Sequence, residues 1–510
     1  MKHKRILWLL PTLVASLSLT GCSKIMALFT KTIELDKTAL KYTYQDYTHN
    51  NYLKIDSAPL SGSPKLLIVP IWFSDSSTYI GSESKTKVKK DIERAYLGSK
   101  QDLGWHSVKT YYETLSNSKL SLNGVVTDWY DTGLPSSYYY DENQGLLRTT
   151  ALIDNVVTWY KGINGDSSLS SFDSDNNGYI DGVILIYGSP DYASLNKKDA
   201  ANMWAYCYWL QQDPGTKDSP KPNAFFWASY DFMYGPSSNM GKYAAGDTRY
   251  CSVDTHTFIH EMGHILGLMD YYDYSNVYCP AGAFSMQDMN VGSHDPYSVM
   301  AFGWADPMVP TKTCSIKLRP FQEAHDLVLL SPDFSSKSPF DEYLLVEYYT
   351  PTGLNEFDTS VSYLNAYPTG PTKGGIRVWH VDARLVWAKE KLGNLEKSIA
   401  NTMTSGRYYY HAMSNTYYSS AVEDYISPLG EQYADYNLLQ LIRNDKNETY
   451  RPKYAIGTSD LFQSGSSFKM SMFPRQFVNQ GRLNSGRDLE WSFKVVSMND
   501  NEAVITFTKG

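Results

Sequence analysis

Cysteine is scarce in this chain of 510 residues: there are five in all, no two of them in CxxC spacing. That excludes a disulfide framework and a cysteine-built zinc module. Basic runs are missing as well. Lysine and arginine number 46 against 54 acidic residues, a net charge of −8, which argues against nucleic acid as a partner. Internal repeats are absent, and no apolar run is long enough to anchor a spanning helix. The longest candidate, Ile6 to Leu19, is short and contains Pro11. Preceded by Lys2, Lys4 and Arg5, it reads as an export signal over residues 1–21. It ends in Leu19-Thr20-Gly21-Cys22, a lipobox pattern that predicts cleavage before Cys22 and lipid on its sulfur. Several acyl chains on one residue give lasting attachment where one does not. The expected location is therefore outside the cytoplasm, on the bacterial membrane, with a soluble body. Cys207, Cys251, Cys279 and Cys314 leave both one or two disulfides and unpaired thiols open.

What is present is concentrated in residues 260–270, His-Glu-Met-Gly-His-Ile-Leu-Gly-Leu-Met-Asp. His260 and His264 stand four apart, so on a helix their imidazoles share a face, one turn from each other. Two rings placed so can hold one Zn²⁺, with Glu261 beside them as the base for a water. Gly267 tolerates positive φ and lets the chain leave the helix and turn back. The return carries Asp270 to the metal as third ligand, leaving a fourth position for water and substrate. Asp273, Asp288 and His294 are the substitutes, and the spacing favours Asp270. No glutamate lies between Glu261 and Glu323, so a thermolysin-like third ligand has no candidate. Such a zinc lowers the pKa of water toward ~7. Glu261 takes the proton and delivers it to the departing amine.

This motif, continued by Tyr271-Tyr272-Asp273-Tyr274, resembles the immune-inhibitor-A family of secreted bacterial metallopeptidases, relatives of the metzincins. Phe284 to Asn290 is similar to that family's methionine turn, and Phe302-Gly303-Trp304 to its Leu-Gly-Trp segment. Ser107 to Leu120, Gly375 to Leu385 and Ser459 to Met470 also match, so the resemblance covers roughly residues 60–510. It implies an endopeptidase acting on extracellular proteins or peptides. Met286 would be the methionine beneath the zinc, Met289 being the other methionine of the turn. The chain departs from the family at Ser285 and Gln287, where Asp-Met-Met is commoner. Many metzincins supply a transition-state donor just beyond this turn, and Tyr297 is the nearest tyrosine, with His294 behind it. The competing reading is a surface lipoprotein that binds glycan or protein through its β domain. An intact Glu261 counts against it, since a scaffold needs no general base.

A second constellation is Asp173-Ser-Asp175-Asn-Asn177-Gly178-Tyr179-Ile180-Asp181. Oxygen side chains at alternate positions around a glycine wrap a hard cation, with Tyr179 offering its carbonyl, which points to a structural Ca²⁺. Ile184 stands where an EF-hand has its bidentate acid, so Asp181 is the compensating ligand. The alternative is an Asx-rich turn with no ion. His256 and His380 read as packing or hydrogen-bonded histidines.

The expected fold is α+β: a metzincin-like zinc peptidase domain over 61–310, then a mainly β domain over 311–510. Residues 22–60 read as a lipidated spacer. The continuous apolar run at 66–69 predicts a buried strand, 119–129 alternates as another, and further strands are expected at 180–187, 202–209 and 224–230. Helices are expected near 84–97, 105–116, 149–161 and 254–266. Beyond 310, strands dominate, with a helix after 386 and a helical piece around 436–443.

Overall fold

The computed structural model describes residues 31–50, 54–81, 84–360, 367–388, 395–416, 433 and 435–510. The signal segment and Cys22 lie outside these. The fold is mixed α+β with several sheets.

The chain begins with β1 (Thr32–Ile33) and α1 (Tyr44–His49), then β2 (Lys65–Trp72), α2 (Lys85–Leu97) and α3 (Val108–Leu115). After β3 (Asn123–Val126) and β4 (Tyr130–Asp131) come α4 (Glu142–Asn164), β5 (Val183–Tyr187), β6 (Tyr206–Trp209) and β7 (Ala224–Ser229). These strands form one sheet in the order β3-β2-β5-β7-β6, with β4 beside the end of β2. All its pairings are parallel except β6 on β7, which is antiparallel and forms one edge. A parallel sheet is covered on both faces, which is why β2, β5 and β7 are unbroken apolar runs. Alternate residues sort cleanly. Ile68, Ile184 and Phe226 face α2, α3 and the metal helix through Ile92, Tyr112 and Phe258. Val69, Leu185 and Trp227 face α4 through Ile153 and Val156.

The metal helix α5 (His256–Ile265) and the short α6 (Pro296–Ala301) complete this half. Beyond it lie β8 (Cys314–Leu318), β9 (Leu327–Leu330), β10 (Glu342–Tyr349), β11 (Gly375–Asp382), β12 (Leu385–Ala388), β13 (Leu395–Ala400) and β14 (Tyr408–His411). They are followed by β15 (Leu439–Ile442), β16 (Ser467–Lys469), β17 (Trp491–Asn499) and β18 (Glu502–Lys509). The sheets β15-β11-β10-β9 and β1-β8-β18-β17-β16 share a core in which Val346 and Val378 meet Ile316, Phe493 and Ile505. The other face of the first sheet, with Leu345, Trp379 and Leu441, belongs to the same core as the metal helix. The two halves are therefore packed through shared apolar surface.

Two expectations need correction. The stretch read as a spacer is, from residue 31 on, part of the fold: β1 adds to β8, and Tyr44 is fully buried. The helical piece around 436–443 is the strand β15, paired with β11. Its short apolar run, Leu438 to Ile442, has no distinguishing period, and a central sheet position decided it. The described residues just after 386 form the strands β12 to β14, and residues 389–394 and 417–432, within the 386–450 stretch where a helix is expected, lie outside the described residues. All four cysteines beyond Cys22 are free thiols.

Candidate metal centre

Helix α5 forms because Phe258, Ile259, Met262 and Ile265 share a buried face against the parallel sheet. Its first turn is held by Asp254, whose Oδ1 accepts the His256 N–H at 3.0 Å. Its end is a Schellman turn. Gly267 N–H donates to the His264 carbonyl at 2.9 Å and Leu268 N–H to the Gly263 carbonyl at 3.0 Å. Gly267 has φ of +110°, and its α-carbon faces Thr48 and Tyr44 of the N-terminal segment, so no other residue suits the place.

That turn also orients a ligand. The Leu268 carbonyl lies 2.9 Å from His264 Nδ1, and the Met286 carbonyl 2.7 Å from His260 Nδ1. A carbonyl accepts only, so each Nδ1 carries hydrogen and each Nε2 turns toward the cluster. Both Nε2 atoms meet Asp270 Oδ1, at 3.1 Å from His260 and 3.3 Å from His264. One donor atom from each of the three residues lies within 4.8 Å of the others, the span around a single ion. The second Asp270 oxygen accepts from the Tyr274 hydroxyl at 2.8 Å. Burial opposes charge on Asp270 and His264. In Asp270 it is outweighed by His264 and then His260, which hold the carboxyl far below its usual range. In His264 it is outweighed by the Asp270 charge, which lifts the imidazole to about 9. The cluster calls for a positive charge at its centre.

Glu261 is buried, and burial raises its carboxyl above the ordinary range. Its Oε2 has no hydrogen-bond partner, and the backbone of Cys207 in β6 lies near the carboxylate. A desolvated carboxylate with one free oxygen, adjacent in sequence to a ligand, is placed to exchange protons with a water.

The alternative third ligands are engaged elsewhere. Asp273 accepts from Ser275, Val277 and Tyr278 backbone N–H groups. Asp288 accepts from Ala283 and Met289 at 2.9 and 2.8 Å. His294 Nε2 meets the Tyr112 hydroxyl at 3.2 Å. Met286 is buried in the core shared with α5, and its backbone N–H donates to the Ser293 carbonyl at 3.0 Å. The expected donors past this turn are engaged: Tyr297 is fully buried with its hydroxyl 3.2 Å from that of Tyr44, and His294 is fully buried against the Tyr112 hydroxyl. His256 is buried against Tyr367, their rings 5.0 Å apart, and stands outside the metal-facing set. His380 pairs with Glu342 at 2.9 Å inside the β half.

The second constellation also closes up. Asp173, Asp175 and Asp181 bring carboxylate oxygens within 4.8 Å of one another. Asp173 accepts from Asn177 and Gly178 N–H, both at 3.0 Å, and Asp181 from Ser174 and Lys65 N–H at 3.1 and 3.0 Å. Asn177 Oδ1 accepts from Tyr179 N–H at 2.8 Å. Burial pushes Asp181 up to about 7, and burial with Asp56 raises Asp175. Asp56 was not legible from the loop's spacing. It lies far earlier in the chain, with Oδ2 2.6 Å from Asn177 Nδ2 and Oδ1 2.9 Å from His49 Nε2. The crowded carboxylates fit a hard cation, and the backbone bonds that fill their other lone pairs fit an Asx-rich turn equally well.

Sequence reasoning missed three more residues at the main cluster: Tyr272, Tyr274 and Gln287. Among the described residues no helix is long and apolar enough to cross a membrane. No protein-family profile matches the chain, and no curated protein matches it as a relative.

Proposed function

We propose that this protein is a zinc-dependent endopeptidase of metzincin-like architecture, akin to the immune-inhibitor-A family. We place it outside the cytoplasm, held to the membrane through lipid on Cys22, with a structural Ca²⁺ in the Asp173–Asp181 loop. The observation that carries the reading is the convergence of His260 Nε2, His264 Nε2 and Asp270 Oδ1 beside the unpartnered oxygen of Glu261. A zinc ion held there supplies Lewis acidity, making water acidic near neutral pH and polarising a carbonyl. Glu261 takes a proton from the attacking water and passes it to the peptide nitrogen as the C–N bond breaks. The products are a carboxylic acid and an amine. A peptide is the natural substrate because β6, which packs against α5, is an edge strand. An edge strand offers backbone groups that an extended chain can pair with.

The test is casein cleavage by the zinc-loaded full-length chain beside Glu261→Ala. Cleavage by the parent and none by a folded, zinc-loaded variant supports the peptidase. Equal cleavage by both assigns the activity to something else. No cleavage by either sinks this reading and favours a binding lipoprotein.

A further inference from the structure

Of the two functions the site requires beyond the metal, Glu261 provides proton transfer, but no group has yet been found for the oxygen of the peptide carbonyl. That oxygen gains negative charge as the carbon becomes tetrahedral, and a donor aimed at it acts on the transition state more than on bound substrate.

The tyrosines around the cluster can be sorted by what their hydroxyls do. Tyr271 is fully buried with its hydroxyl 3.0 Å from Ser298 Oγ. Tyr112 donates to the Ile259 carbonyl at 2.7 Å, behind the metal helix. Tyr297 is held by Tyr44, and Tyr274 is occupied with the outer oxygen of Asp270. Tyr272 differs from all of these. It follows inward-facing Tyr271 and is only half-buried. Its ring centre lies 6.5 Å from that of His260 and is tilted 31° to it. Its hydroxyl lies close enough to feel the charges of both Asp270 and Glu261, so it borders both the third ligand and the base. A phenol keeps its proton near neutral pH and can donate it in a hydrogen bond.

On the peptidase reading, on which this rests, we propose that Tyr272 is a catalytic residue that donates a hydrogen bond from its hydroxyl to the oxygen of the scissile carbonyl. The hydroxyl stands beside Asp270, a carboxylate already shared with two imidazoles, and turns to the stronger acceptor when the tetrahedral oxyanion forms. No proton leaves the tyrosine. The water O–H bond breaks toward Glu261, the new C–O bond forms, and the C–N bond breaks with the proton delivered to nitrogen.

The test is Tyr272→Phe in the full-length, zinc-loaded chain, assayed on a fluorogenic peptide made from the best casein cleavage site. Loss of one oxyanion donor is expected to lower kcat about 10²–10³-fold, with KM little changed. Binding supplies a second readout. A phosphinic analogue of that peptide, tetrahedral at the scissile position, should lose affinity for Tyr272→Phe by a similar factor. The intact peptide should bind Glu261→Ala and Glu261→Ala/Tyr272→Phe alike. An unchanged kcat, an unchanged phosphinic affinity, or a loss shared by the intact peptide would overturn the proposal. So would a fall in zinc content or Tm, which would make the tyrosine structural. If the parent does not cleave and binds no phosphinic peptide, the peptidase reading has failed and this one falls with it. A cleaving parent with an unimpaired Tyr272→Phe refutes Tyr272 alone.

Discussion

The side-chain amide of Gln287 lies against the α-carbon of Gly263, so close that a β-carbon there would sit inside 3.0 Å of its oxygen. The same amide nitrogen is 3.3 Å from His264 Nδ1 and 3.4 Å from its Nε2. The glycine between the two histidines is thus there for the residue packed across from it, and that residue also touches a ligand. Alanine normally improves a helix interior by about 1 kcal/mol over glycine. Here Gly263→Ala must displace a fully buried side chain that packs against the His264 imidazole. The expected result is roughly 10-fold weaker zinc binding, read by competition with a chromophoric chelator. Adding Gln287→Ala should restore much of the loss, since the clash disappears with the amide. Additive losses in the double variant would disprove the coupling.

Tyr274 reaches the oxygen of Asp270 that faces away from the histidines. Without that bond the carboxylate is free to rotate about its last torsion. Tyr274→Phe is therefore expected to weaken zinc binding about 10–100-fold, the usual cost of removing a group that orients a ligand. Excess zinc should return activity. Wild-type zinc affinity in this variant would show that Asp270 is held by other means.

Asp358 ties the β half to the loop below the metal. Its carboxylate accepts from Val291 N–H at 2.9 Å and from Asn290 Nδ2 at 3.1 Å, and burial pushes it up to about 7. In the unfolded chain the group titrates near ~3.9. The folded state thus holds this proton more tightly, a contribution fully present below the unfolded value and lost as pH rises through 7. Relative to Asp358→Asn, the parent should lose on the order of 3 kcal/mol between pH 4 and 8. Paired thermal melts across that range decide it, and parallel pH profiles would refute the assignment.

Calcium at a hundred times its dissociation constant should stabilise the protein by about 2.7 kcal/mol if the Asp173–Asp181 loop takes the ion. Asp175→Ala should abolish the calcium-dependent rise in Tm, and Asp56→Ala should reduce it. Because Lys65 at the start of β2 donates to Asp181, the effect is expected in the global melt. A calcium-independent Tm in the parent would leave the loop as an Asx-rich turn.

The parts of this molecule legible in its sequence are those governed by local rules. The four-residue spacing of His260 and His264 gave the shared helix face, and Gly267 gave the turn that returns Asp270. Buried parallel strands were readable because covering both faces leaves unbroken apolar runs. What escaped depends on distant partners. Asp56 joins the acidic loop, and Tyr44 lies beneath Gly267, only through tertiary packing. Tyr272 and Tyr274 stood in plain view beside the motif, yet nothing local says which tyrosine of Tyr271 to Tyr274 points inward. The piece over 436–443 reads differently because so short a stretch, Leu438-Leu439-Gln440-Leu441-Ile442, carries no period until a sheet accepts it.

The strand β1 lies on β8, and β8 lies on β18, so the first and last strands described here belong to one sheet. Their contacts span nearly the whole chain, and contacts of such long range form late because so much loop must be closed first. A polypeptide emerging N-terminus first therefore holds β1 and Tyr44 waiting for partners made much later. Gly267 at the end of the metal helix packs on Tyr44 and Thr48, which follow β1. The geometry of His264 and Asp270 would then mature only once β18 has been made, so completion of the fold itself would set the moment at which the cluster forms.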